Sequence, residues 1–200
     1  QIPPQGSSIV TTLNPLTLTA PGVSVIATGV SSKALACGSN GTLIFSGTLS
    51  TTTPAQWTDH SANLIIPPLE RVVNVGGERI LGGRKGTLIT TDNTSSIPVF
   101  KYKPTIVSSD VKGMGSISTG TVFVGSKDGS IFELTLSSSV EITGSIRRNI
   151  MPKPLESFVV NAFGMYCALN DNRIAFINIG AGQTLPSFSN PVSGNGSIAR

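Results

Sequence analysis

Charged side chains are scarce in this 200-residue chain: they make up 12% of it, against about 25% in average soluble domains. The chain also has only one histidine and two cysteines, too few for a conventional zinc site or a disulfide-dense small protein. No apolar run approaches the roughly 18 residues of a membrane-spanning helix. We therefore expect no metal site, no cofactor and no membrane span.

Glycine, proline, serine and threonine take the place of the missing charges. The chain has 22 Gly and 13 Pro, 38% hydrophobic residues and a formal net charge of +4. Disordered chains combine low hydrophobicity with high net charge, and this composition has neither. Length and composition together predict a single folded domain with many turns.

One short segment recurs four times along the chain, as an apolar run, a small polar turn with Gly or Asn, and a second apolar run. The turn residues Gly41, Gly86, Gly129 and Asn172 follow one another at intervals of 45, 43 and 43 residues. A tight hairpin needs a residue with positive φ, which glycine adopts freely and asparagine tolerates. Each copy therefore predicts a β-hairpin. The copies are Leu35–Ile44, Ile80–Ile89, Phe123–Phe132 and Tyr166–Ala175.

Further strand-like runs flank each hairpin. Those that precede the hairpins are Val23–Ala27, Arg71–Val75, Val111–Ser116 and Phe158–Ala162. Those that follow include Val99–Lys103 and Val140–Ile142. Three to four strands in each unit of about 43 residues are typical of a β-propeller blade. We therefore predict an all-β fold, a β-propeller with four repeats.

A second motif follows the hairpin of the second copy, where Thr91-Asp92-Asn93-Thr94 precedes Phe100. It approximates the box Ser-x-Asp-x-Gly-x-Thr-Trp of the sialidase-type, or Asp-box, repeat propellers. The blades of these propellers, and of related photosystem-assembly propellers, resemble the repeats of this chain. The third and fourth copies lack the box. The resemblance implies radially arranged sheets over residues 23–178.

The domain organisation follows from the repeats. Residues 23–179 hold the propeller repeats, between an N-terminal arm (1–22) and a C-terminal arm (180–200). Both arms contain strand-like runs and together match one repeat length, so they predict a fifth blade that closes the ring. The alternatives are a four-bladed ring with flexible arms, or an excerpt of a larger propeller. Gln1 implies signal cleavage, maturation proteolysis or excision from a longer chain.

We predict that the protein is not an enzyme. A Ser-His-Asp triad is not expected, because the carboxylate beside the single histidine, His60, is that of the adjacent Asp59, and adjacent residues of an extended chain project in different directions. The G-x-S-x-G motif of serine hydrolases is also absent. Tyr102 is predicted in an outer strand and Tyr166 in a middle strand, and the glutamates are scattered, which gives little support to glycosidase chemistry. Cys37 and Cys167 lie one position apart in equivalent hairpins, so we expect two buried free thiols.

The basic residues of the hairpin turns give one spatial pattern, because equivalent turns of propeller blades emerge on one face. We expect a positive rim there, opposed only by Asp128 and Asp171. The rim residues are Arg84, Lys85, Lys127 and Arg173. Such a rim suits an anionic partner, for example an anionic surface glycan or an acidic protein. Nucleic acid is not expected, because the turns lack aromatic residues for base stacking. The alternative is that these charges only keep the turns soluble.

Few charges and many hydroxyl groups suit surfaces that pack against neighbours at little desolvation cost. Similar composition is typical of virion proteins. We therefore expect a non-enzymatic virion component, a phage capsid-decorating, tail or receptor-binding protein that is oligomeric or belongs to a larger assembly. Its expected location is the virion or the extracellular surface. The alternative is a secreted or periplasmic propeller that binds a glycan or an assembly partner, followed by a glycosidase-like enzyme.

Overall fold

The computed structural model describes residues 23–28, 33–38, 43–48, 56–59, 67–75, 78–92, 99–103, 106–138, 141–179 and 185–191. The predicted N-terminal arm (1–22), most of the C-terminal arm, Gly41 and His60 lie outside the described residues.

The described residues form four antiparallel sheets of four strands each, and in every sheet the strands neighbour one another in chain order. The first sheet comprises β1 (Val23–Thr28), β2 (Lys33–Gly38), β3 (Leu43–Thr48) and β4 (Gln56–Asp59). The second comprises β5 (Leu69–Val75), β6 (Glu78–Gly83), β7 (Leu88–Asp92) and β8 (Val99–Lys103). The third comprises β9 (Val111–Ser118), β10 (Thr121–Ser126), β11 (Ser130–Leu136) and β12 (Ile142–Ile150). The fourth comprises β13 (Leu155–Asn161), β14 (Gly164–Leu169), β15 (Ile174–Ile177) and β16 (Ser187–Phe188).

The predicted all-β class and the four hairpins are confirmed, since β2–β3, β6–β7, β10–β11 and β14–β15 pair as antiparallel neighbours. Two boundaries differ from the prediction. The outer strand of the third sheet was predicted over Val140–Ile142, whereas it runs from Ile142 to Ile150. Pairing with β11 along its length keeps β12 extended, although β12 contains a glycine and two arginines. Ser187–Phe188, which the sequence assigned to the C-terminal arm, pairs with β15 as the outer strand of the fourth sheet.

A β-bulge recurs at the start of the first strand of every sheet. In the first, second and fourth sheets, the register with the second strand shifts between Val23 and Val25, between Leu69 and Arg71, and between Leu155 and Ser157. The third sheet has the same shift at Gly125/Ser126, opposite the start of β9. A bulge bends its strand and strengthens the local twist. The four sheets are therefore structural repeats as well as sequence repeats.

The sheets pack in chain order through their first strands. β1 contacts β5, β5 contacts β9, and β9 contacts β13. Among the described strands, β13 makes no comparable contact with β1, so these strands do not close a ring.

Two apolar clusters fill the spaces between consecutive sheets. The first joins residues of the second and third sheets, including Ile80 and Leu88 on one side and Val122, Val124 and Leu134 on the other. The second cluster joins the third and fourth sheets. Its members include Phe123, Ile131, Leu155, Phe158, Met165 and Ile177. The third sheet is therefore buried on both faces, and full burial of one such side chain contributes about 1.5–3 kcal/mol.

Glycines set how closely the third and fourth sheets approach. A Cβ atom on Gly113 would lie 2.0 Å from the carbonyl oxygen of Phe158, and one on Gly115 would lie 2.5 Å from Cβ of Val160. A Cβ on Gly125 would lie 2.5 Å from the Phe158 ring. No side chain fits at these positions without moving β13.

We predict that Gly125→Ala lowers the free energy of unfolding by about 1–3 kcal/mol, because the added methyl group overpacks the Phe158 ring. Gly120→Ala is the matched control, since a Cβ at Gly120 meets nothing within 4 Å. Urea unfolding of both variants checks the prediction. Equal stability of the two variants would contradict the packing of β10 against β13.

Candidate functional site

The hairpin turns of the second, third and fourth sheets lie beside the starts of their own first strands. In each, the first turn residue donates its N–H to the carbonyl just before that strand. The bonds are Arg84 N to Pro68 O at 2.9 Å, Lys127 N to Asp110 O at 2.8 Å, and Asn170 N to Pro154 O at 3.1 Å. These three turns, with the residues just before β5, β9 and β13, are called the turn edge below.

The predicted positive-φ residues of these turns are confirmed. Gly86, Gly129 and Asn172 have φ values of 68°, 92° and 63°. Lys85 is an additional case, with φ of 54° inside the 3₁₀ turn Arg84–Gly86. A Cβ on Gly86 would lie 1.7 Å from the carbonyl oxygen of Val107, so glycine is required there by space as well as by φ.

Neighbouring turns are connected to one another through Asp110 and Lys127. Asp110 accepts from Lys85 N through Oδ1 at 3.0 Å and from Lys127 N through its carbonyl oxygen. The Lys127 carbonyl in turn accepts from Leu155 N at 3.1 Å. The chain of bonds runs from the second sheet to the start of the fourth. The structure thus brings the predicted residues Arg84, Lys85, Lys127 and Arg173 to one edge.

The two arginines of the turn edge are engaged with carboxylates. Arg84 Nε lies 2.8 Å from Oε1 of Glu70. Arg173 donates to Oδ2 of Asp171 from Nη2 at 2.6 Å and from Nε at 2.9 Å. The hydrogen bond between the two raises the pKa of Arg173 and lowers that of Asp171. Arg173 also lies 5.3 Å from the centre of the Phe188 ring, within the range of a cation–π contact.

The two lysines are exposed, and no ion pair joins either ammonium group to a carboxylate of the described residues. The prediction that only Asp128 and Asp171 oppose the basic residues is wrong, because Glu70 and Asp110 also lie at this edge. Glu70 is the second residue of β5 and Asp110 immediately precedes β9. They are 14 and 25 residues from Arg84 and Lys85, so linear spacing did not reveal them. Among the described residues of this edge, the exposed lysines outside these ion pairs are Lys85, Lys127 and Lys153, the last of which lies just before β13.

Asp128 organises the turn of the third sheet. Its Oδ1 accepts from Ser130 N at 3.0 Å and from the Ser126 hydroxyl, and its Oδ2 accepts from Ser108 Oγ at 3.2 Å. Partial burial raises the pKa of Asp128, but the hydrogen bonds from the three serines outweigh burial and leave the pKa below 3.8. We predicted from the sequence that Asp128 helps to form the turn, and its hydrogen bonds agree with that role.

Tyr166, one of the two tyrosines weighed for catalysis, lies apart from the turn edge. Tyr166 is in the middle strand β14, where its ring lies 4.7 Å from that of Phe176. Thr91, from the box-like motif, is buried and bonds through its hydroxyl to the backbone of Arg79. Within the described residues, no three His, Cys, Asp or Glu side chains are grouped as metal ligands. No helix among the same residues is long and apolar enough to cross a membrane.

Cys167 is a buried free thiol, as predicted, and burial raises its pKa to about 12. We predict that in a Cys37→Ser variant the remaining thiol does not react with a disulfide reagent at neutral pH until the protein unfolds, because the reactive thiolate is not formed. Absorbance of the released thiol, with and without urea, measures this. A native rate equal to the denatured rate would contradict the burial of Cys167.

The lowered pKa of Asp128 predicts a pH dependence of stability. A carboxyl group with a lowered pKa in the folded state stabilises the protein above its ordinary pKa, and this contribution is lost as the pH falls through the folded-state value. Below pH 3.8, the wild type should therefore lose stability more steeply than Asp128→Asn, which does not titrate. Urea midpoints over an acid series test this, and parallel curves would contradict it.

The sequence matches no known protein-family model, and no curated protein is significantly similar to it.

Proposed function

We propose that the four sheets are blades of a β-propeller and that the chain is a non-enzymatic structural and binding component of a virion. The observation that carries the proposal is the series of contacts between first strands, β1 with β5, β5 with β9 and β9 with β13. Propeller blades meet in chain order through their innermost strands. The bulge repeated at the start of every first strand supports the same arrangement.

The hydrogen bonds of the turn edge support a binding role in preference to catalysis. Its carboxylates are used in bonds that hold the turns, as with Asp128 and its three serines. A general acid needs a pKa near the working pH, whereas the pKa values of Asp128 and Asp171 are lowered. The turn edge is thus a surface of hydrogen-bonded turns that carries three exposed lysines, Lys85, Lys127 and Lys153.

Lys85 and Lys127 are the residues we assign to an anionic partner. Both backbones bond to Asp110, so the two ammonium groups extend from neighbouring, connected turns. A pair of cations on a rigid frame loses less conformational freedom on binding than two cations on mobile loops. The partner classes we propose are acidic surfaces of other virion proteins and anionic surface glycans.

The lysine pair also favours a second candidate, a secreted or periplasmic propeller that binds an anionic glycan. The two candidates use the same edge and differ in their partners. A virion component co-sediments with particles of the same virus, whereas a secreted glycan-binding protein binds the glycan as an isolated chain.

We predict that Lys85→Ala/Lys127→Ala elutes from a heparin column at a lower salt concentration than the wild type, because two exposed cations are lost from one surface. Arg147→Ala/Arg148→Ala is the control of equal charge change, on the outer strand β12. The control should elute close to the wild type.

Equal losses of retention in the two double variants would show a response to net charge alone and would contradict a site at the turn edge. Weak retention of the wild type that does not change with the lysines would contradict it as well.

A further inference from the structure

The start of β5 holds a guanidinium group that two backbone carbonyls orient. Arg71 Nε donates to the carbonyl oxygen of Lys112 in β9 at 3.0 Å, and Arg71 Nη1 donates to the carbonyl oxygen of Glu70 at 2.8 Å. A guanidinium has five N–H donors in a planar fork. Neither bond uses Nη2, so the orientation of the fork is set while its outer donors remain for another acceptor.

Arg71 and Lys112 both depart from the repeat towards positive charge. Where the register shifts, the bulged residue of the first strand is serine or glutamate in three sheets and Lys112 in the third. The residue after the bulge is uncharged in three sheets and is Arg71 in the second. The equivalents of Lys112 are Ser24, Glu70 and Glu156, and those of Arg71 are Val25, Gly113 and Ser157. The bulge thus forms without a cation at either position, and two cationic residues are in contact where the second and third sheets meet.

No ion pair joins either charge to a carboxylate of the described residues. The four ion pairs among these residues involve other cations, and the Glu70 carboxylate is engaged with Arg84. Arg71 and Lys112 are both half-buried. Taking a charge out of water costs free energy unless an opposite charge compensates it. An anion bound at these two residues would therefore be stabilised by both.

The segments outside the described residues supply no acidic side chain to this place, because every Asp and Glu of the chain lies within the described residues. Three of these acids have only their backbone described. Glu78 and Asp92 lie at the ends of β6 and β7 that are away from the hairpin turn. Asp59 ends β4, three strands from β1, which is the strand of its sheet that contacts β5. We therefore expect the compensating anion to come from another molecule.

We propose that Arg71 and Lys112 bind one oxyanion group, a sulfate or a carboxylate, of an anionic glycan. A guanidinium donates two parallel N–H bonds to the oxygens of such a group, and an ammonium adds a charge-assisted hydrogen bond. Because two carbonyls already orient Arg71, little conformational freedom is lost on binding. A half-buried pair between two strands suits a single group on a slender sugar chain better than a flat protein surface.

The inference rests on the proposed binding of an anionic partner and adds to the exposed lysines a site that holds one anion.

The test is an NMR titration of the isotopically labelled chain with sodium sulfate or sodium glucuronate at constant ionic strength. The wild type is expected to show saturable shifts of the Arg71 Nε–H and of the Lys112 backbone amide. Arg71→Lys, followed at the Lys112 amide, should raise the dissociation constant at least about tenfold, because the charge stays but the two-pronged donor is lost. The matched control is Arg147→Lys, since Arg147 is exposed on the outer strand β12.

Lys112→Gln is a second variant, which keeps the backbone carbonyl that orients Arg71 and carries the test if Arg71→Lys does not fold. It should also weaken binding, as followed at the Arg71 Nε–H, whereas Arg147→Gln, of equal charge change, should bind as the wild type does. The tighter of the two probes identifies the group that the site prefers.

The absence of a saturable shift in the wild type would overturn the site, and so would equal affinities of the wild type and Arg71→Lys, or equal losses in Lys112→Gln and Arg147→Gln. Tighter binding of N-acetylglutamate amide than of either probe would assign the site to protein carboxylates and overturn the glycan. Failure here with lysine-dependent heparin binding intact would overturn this site alone. The loss of lysine-dependent heparin binding with the sulfate shifts intact would overturn the lysine site alone.

Discussion

The approach of β13 to β9 without intervening side chains is the constraint on which the rest of the structure depends. Gly113 and Gly115 leave room for the backbone and side chains of Phe158 and Val160, and Gly125 leaves room for the Phe158 ring. Packed interiors tolerate added volume poorly, so these glycines fix the distance between the two sheets. Because the third and fourth sheets are meanders that begin at β9 and β13, fixing these two strands also fixes where the hairpin turns of these two sheets lie.

The turn edge follows from that constraint. Each of the three described turns bonds to the residue before its own first strand, so bringing β5, β9 and β13 together brings these turns together. Asp110 shows how tightly this is connected, since it bonds to turn residues of two sheets at once. Glu70 and Asp171 pair with the two arginines, which leaves the exposed Lys85, Lys127 and Lys153 to act on a partner. The positive surface is therefore smaller and more localised than the number of basic residues implies.

Much of the fold was predictable from turn chemistry. The positions of Gly86, Gly129 and Asn172 specify positive φ locally, and the spacing of these residues specifies the repeat.

The features that the sequence did not reveal depend on contacts between sheets. Glu70 and Asp110 lie beside Arg84 and Lys85 only because the first strands and the turns are adjacent in space. The length of β12 was missed because pairing with β11 holds the glycine and arginines of that strand in an extended conformation that their own propensities do not favour.

The most direct test of the central claim is nuclear Overhauser spectroscopy of isotopically labelled protein, directed at Gly115 and Val160. With an ideal Cβ at Gly115 only 2.5 Å from Cβ of Val160, the α-protons of Gly115 are expected to give strong cross-peaks to the Val160 methyl groups. The absence of these cross-peaks in a folded sample, with β9 and β13 both assigned as strands, would contradict the stacking of the sheets through their first strands.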